Sequence, residues 1–106
     1  MLGTILMVSS CSAVVCFLLS LQHFHELITP RTKLVSLVHV SNMLGAVLDV
    51  ETVVAAARKV GARVLLDSCQ SMPHMPLDVQ ALGVDWIVAS AHKAVGPTGI
   101  GFLWGR

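Results

Sequence analysis

Asp49-Val50-Glu51-Thr52-Val53-Val54-Ala55-Ala56-Ala57-Arg58-Lys59-Val60-Gly61-Ala62-Arg63-Val64-Leu65-Leu66-Asp67 contains the change of period that decides the fold. Val50, Val53, Val54, Ala57 and Val60 recur at helical spacing and share one face. Asp49 is the N-cap expected before such a run, and Arg58 and Lys59 suit the negative end of the helix dipole. Gly61 stops the helix. Arg63 to Asp67 then reads as a short strand ending in a carboxylate. Upstream, Thr29-Pro30-Arg31-Thr32-Lys33 is polar and turn-like, and Leu34 to Val40 reads as a buried strand. Downstream, Pro73 and Pro76 break the chain and Asp78 to Leu82 predicts one or two helical turns. Trp86-Ile87-Val88-Ala89 reads as a third strand and Gly101-Phe102-Leu103-Trp104 as a fourth.

Strand, helix, strand, short helix, strand is the order of an α/β fold, a mostly parallel sheet with right-handed crossover helices. Ligands of such sheets collect beyond the carboxyl ends of the strands. Three polar clusters fall there: Ser41-Asn42, Asp67 to Gln70, and Ser90 to Lys93. Lys93 closes Ser90-Ala91-His92-Lys93, 26 residues after Asp67, and Gly96-Pro97-Thr98-Gly99-Ile100-Gly101 follows. A lysine so placed is suited to hold an aldehyde cofactor, pyridoxal 5'-phosphate, as a Schiff base. That chemistry needs an amine, an acid for the pyridine nitrogen and donors for the phosphate. Asp67 supplies the acid, Ser90 and His92 the phosphate donors, and Asn42 and Gln70 amides for the ring oxygen. Taken singly, each has a plainer reading: a solvated lysine, a turn-capping aspartate, a surface amide. Their company raises the cofactor reading above those.

Other features carry less. His39 reads as a core histidine. His23 and His25 have a metal-like spacing without a third ligand. Cys69 reads as a small buried residue. Gly96 to Gly101 is neither a dinucleotide fingerprint nor a phosphate loop ending in GK[ST].

The 106 residues predict one domain at most. Apolar residues make up 55% and charged residues 12%, with a mean hydropathy of +0.78. A small soluble domain averages about 25% charged residues, so this chain has too few to cover its own surface. Two expectations follow: membrane contact for one segment, and for the other, membership of a larger fold. Net charge +1 gives no reason to propose nucleic acid. Cys11, Cys16 and Cys69 are odd in number and show no CxxC spacing, which argues against a disulfide framework.

Residues 1–25 contain no Asp, Glu, Lys or Arg, and Leu2 to Leu21 is long enough to cross a bilayer as a helix. This apolar, helix-like segment is expected to be a membrane or targeting segment or a gene-model artefact. It has neither the basic start of a signal peptide nor the arginines of a transit peptide. Residues 26–106 form the second unit, the α/β part.

His39-Val40-Ser41-Asn42-Met43-Leu44-Gly45, Val64 to Ser71, Asp78 to Leu82, and Ser90 to Lys93 with Gly96 to Gly101 resemble the cysteine desulfurases. The resemblance is to the SufS-like, plant plastid type, within the class V aminotransferase group of pyridoxal phosphate enzymes. It covers about residues 26–106 and implies part of the large, cofactor-binding domain. It implies Lys93 as the catalytic Schiff-base lysine, Asp67 at the pyridine nitrogen, Asn42 and Gln70 at the ring oxygen, and Ser90 and His92 at the phosphate. It also implies L-cysteine as substrate, alanine as product, and sulfur passed as persulfide to acceptor or scaffold proteins for iron-sulfur cluster assembly. A homodimer and a plastid location belong to the same implication. Ala91 stands where many members have Gly or Ser. The family's ring-stacking histidine, an upstream phosphate-binding threonine, the persulfide cysteine and the arginine for the substrate carboxylate lie outside this span. Selenocysteine lyase and kynureninase-like activities share the lysine and the aspartate and remain alternatives. So does a non-catalytic truncated product, whose unpaired sheet edge and uncovered apolar faces would favour aggregation.

Overall fold

Helix α1, Val50–Lys59, forms where the apolar period places it. The computed structural model describes residues 4–8 and 24–106. At the start of α1, Asp49 Oδ1 accepts from the Thr52 amide at 3.0 Å and Oδ2 from the Thr52 hydroxyl at 2.7 Å. These bonds satisfy a donor that the first turn leaves unpaired. At its end the amides of Val60 and Gly61 return to the carbonyls of Ala57 and Arg58. Gly61 takes φ +73°, a conformation that a side chain disfavours. Val50, Val53, Val54, Ala56 and Ala57 are buried, and Val60 packs beside them half-buried.

The sheet contains β1 (Thr4–Val8), β2 (Thr32–Val38), β3 (Arg63–Asp67), β4 (Trp86–Ser90) and β5 (Gly101–Gly105). They lie side by side in chain order, the first four parallel and β5 antiparallel to β4. Val35 pairs with Val64, Leu37 with Leu66, and Leu66 with Ile87. Those residues, with Ala89, are buried on the face that α1 covers. A short helix, α2 (Val79–Leu82), packs against the same core through Val79 and Leu82. Because side chains alternate along a strand, Leu34, Ser36, Val38, Leu65, Asp67, Trp86, Val88 and Ser90 lie on the opposite face. All eight are half-buried.

At the amino edge of the sheet, Arg58 Nη2 donates to the Gly83 carbonyl at 2.7 Å and lies 3.7 Å from Asp85 Oδ1. Asp85 Oδ2 in turn accepts from the Val64 amide at 2.8 Å. One arginine and one aspartate therefore join the end of α1, the end of α2 and the start of β3.

Two expectations need correction. Thr4–Val8 is a strand, hydrogen-bonded in parallel to β2, and not the opening of an apolar helix. A strand edge offers those amides partners, and Thr, Ile and Val suit it. The remainder of the expected span over residues 2–21 lies outside the described residues. Among the described residues, no helix is long and apolar enough to cross a membrane. The first predicted strand also shifts: the ladder runs from Thr32 to Val38, and Val40 forms only an isolated bridge to Val47. The last strand, β5, runs antiparallel to β4, which a mostly parallel sheet allows. The ten residues from Ala91 to Ile100 (100 − 91 + 1) separate it from β4, whereas a parallel crossover needs about a dozen or more.

Two outcomes follow from this packing. Asp49→Ala should lower the unfolding free energy by about 1 kcal/mol, read from urea midpoints, because the Thr52 amide loses its acceptor. His39 is only 5% exposed, and burial lowers its pKa from 6.5. The unfolded chain then binds a proton that the folded chain refuses, so stability is complete above pH 6.5 and declines as pH falls through and below it. Melting temperatures should decline over that window in the wild type and flatten in His39→Gln; equal slopes would count against this account.

Candidate functional site

β2, β3 and β4 are adjacent and parallel, so their carboxyl ends form one edge. Two hydrogen bonds carry the ladder past the strand ends. The His39 amide donates to Asp67 O at 3.0 Å, and the Ser68 amide to Val88 O at 2.8 Å. Ser41-Asn42, Asp67 to Gln70 and Ser90 to Lys93 all emerge from that edge, as the strand order predicts.

Asp67 is the last residue of β3, half-buried on the face away from α1. Its Oδ1 accepts from the Cys69 amide at 2.9 Å, and among the described residues Oδ2 takes no hydrogen bond. Ser90 ends β4 and precedes a short 3₁₀ turn, Ala91–Ala94, that contains His92 and Lys93. The Ser90 hydroxyl does not cap that turn. It lies 3.2 Å from Cys69 Sγ, so Cys69 links the carboxylate at the end of β3 to the hydroxyl at the end of β4. Lys93 is half-buried and His92 exposed. Among the described residues the ion pair is Arg58–Asp85, at the other edge, so neither Lys93 nor Asp67 spends its charge on a side-chain partner.

The chain leaves the lysine turn sharply. Gly96 donates its amide to Ala91 O at 2.9 Å, and a Cβ on Gly96 would stand 2.8 Å from that oxygen. No other residue fits without displacing backbone. Val95, fully exposed, adopts φ +62°, a left-handed conformation that is costly for a β-branched side chain. The strain lies two residues after Lys93.

Asn42 and Gln70 meet elsewhere along the same edge. With Val40, Ser41, Gly45, Val47, His74 and Met75 they line a hollow of about 380 Å³. Asn42 is exposed and Gln70 half-buried. Asp67, Ser90, His92 and Lys93 do not line it, so the six residues share an edge but not this one hollow. Sequence reasoning passed over two contributors. His74 donates from Nδ1 to the Gln70 carbonyl at 2.6 Å, which ties down the turn that carries Gln70. Cys69 is half-buried rather than buried, and its thiol faces Ser90. The only signal for Cys69 in the sequence is its place two residues after Asp67.

An amine, a carboxylate with one oxygen unused, and a hydroxyl turned away from its own helix end suit pyridoxal phosphate, which presents an aldehyde, a ring nitrogen and a phosphate.

Known proteins resemble the chain over most of its length. The aminotransferase class-V family model matches residues 11–106, a stretch that begins within the apolar segment. A probable cysteine desulfurase of Synechocystis sp. is 55% identical over 86 residues, 81% of this chain and 20% of that protein. The chain thus spans about a fifth of that relative's length. The crystal structure of the cysteine desulfurase CsdA (S-sulfonic acid) from Escherichia coli superposes with a TM-score of 0.79 at 31% identity, covering 98% of this chain and 32% of that one. SspA in complex with cysteine gives a TM-score of 0.78 at 27% identity, covering 98% and 36%. With the sheet and the family match in agreement, the chain belongs to the aminotransferase class-V family.

Proposed function

We propose that this chain carries the middle of the cofactor domain of a pyridoxal phosphate-dependent cysteine desulfurase. One observation carries the reading: an aspartate, a hydroxyl and a lysine leave the adjoining carboxyl ends of β3 and β4, without competing ionic partners among the described residues. The desulfurase relatives narrow the substrate to L-cysteine, which leaves as alanine while its sulfur passes on as persulfide. Iron-sulfur cluster assembly is the destination proposed for that sulfur, through acceptor proteins and a homodimeric enzyme.

Pyridoxal phosphate, when bound, supplies the electron sink for bond breaking at the substrate. The chain's residues prepare the ground for it. Lys93 would hold the cofactor through its primary amine, and its Nζ is the group that could hold or return a proton there. Asp67, with its Oδ2 unused among the described residues, would face the ring nitrogen and keep it protonated. A carboxylate about 4 Å from a cationic nitrogen gains on the order of 4 kcal/mol at an effective dielectric of 20, before desolvation. Asn42 and Gln70 would serve the ring oxygen from the neighbouring part of the edge, with the Gln70 turn held by His74. Ser90 and His92 serve the phosphate.

Two experiments on the full-length protein test this. After incubation with pyridoxal phosphate and reduction with borohydride, peptide mass spectrometry should place the label on Lys93, and Lys93→Ala should lose both the label and alanine release from cysteine. A label of undiminished intensity in Lys93→Ala would remove the lysine from its role. Alanine from selenocysteine but not cysteine, or anthranilate from kynurenine, would assign the protein to a neighbouring activity. Asp67→Asn should still attach the cofactor covalently, yet lower kcat by about 100-fold, because a neutral amide no longer favours the protonated ring.

A further inference from the structure

We propose that Cys69 is a positioning residue for the phosphate of the cofactor, acting through Ser90; this rests on the cofactor reading above. Ser90 stands at the N-cap of the lysine turn, where a serine hydroxyl ordinarily accepts from the amides of its own helix. Here it makes no such bond. Its oxygen lies instead 3.2 Å from Cys69 Sγ. The Cys69 backbone is itself held, its amide donating to Asp67 Oδ1 at 2.9 Å.

A hydroxyl has one proton to give and two lone pairs to receive. Phosphate oxygens only accept, so Ser90 must spend its proton on them. The contact with Cys69 then survives only if the thiol donates, S–H to Oγ. The thiol therefore does two things: it turns Ser90 away from capping, and it occupies an acceptor site so that the O–H bond points outward. The same residue joins two groups that serve the cofactor, Asp67 at the ring nitrogen and Ser90 at the phosphate.

The test compares pyridoxal phosphate with pyridoxal, which keeps the aldehyde and the ring nitrogen but lacks the phosphate. Binding to the full-length protein is followed by the absorbance change on attachment. Cys69→Ala should raise Kd for pyridoxal phosphate about 3- to 10-fold, the loss expected for one hydrogen bond, and leave Kd for pyridoxal unchanged. Cys69→Ser, which keeps a donor, should restore tight binding of the phosphate form. Equal changes for both compounds, or none for either, would overturn the role of Cys69 while leaving the cofactor site intact. A serine variant as weak as the alanine variant would overturn the donor assignment. Wild-type protein that attaches neither compound would overturn the cofactor reading itself.

Discussion

Everything at the candidate site depends on three parallel strands ending together. The bonds from the His39 amide to Asp67 O and from the Ser68 amide to Val88 O extend the ladder one step beyond β2 and β3. They bring the start of each following loop to a common edge. Buried amides in such a position must find partners, and these two find them in the neighbouring strand. A strand displaced along its axis would separate the loops by 3.3 Å or so per residue, enough to remove an amine from the reach of a ligand held by a carboxylate.

The second constraint is the face on which Asp67 lies. Val64 and Leu66 are fully buried beneath α1, and alternation sends Asp67 to the other side. A slip of one residue in the pairing of β3 would bury the carboxylate beneath the helix and expose the two apolar residues. The same packing that forms the core therefore holds the acid where a ligand can meet it. The hydrophobic term supplies the selectivity, since exposing a buried Val or Leu costs about 1.5–3 kcal/mol each.

How much could be read in advance depends on how local each signal is. Helix α1 was legible almost to the residue, because its cap, its apolar period and its stopping glycine all lie within thirteen positions, Asp49 to Gly61. The place of Lys93 just beyond a strand was legible from the apolar run Trp86 to Ala89, but the 3₁₀ turn that carries it was not. Strand β1 was not, because an unbroken apolar run has no period to tell a strand from a helix. The direction of β5 was set by the shortness of its connection, which composition does not reveal.

The sequence by itself determined the alternation of strand and helix, the one-sided core, and which side chains stand at the strand ends, since periodicity, caps and turn residues act over a few positions. Only the tertiary structure decided the neighbours. Asn42 and Gln70, from loops 28 positions apart (70 − 42), line one hollow, while Cys69 reaches Ser90 across two strands, 21 positions along the chain. The physical reason is range: a hydrogen bond or a hollow depends on separations of a few ångströms in space, and those are set by which strands pair and in what register, not by distance along the chain.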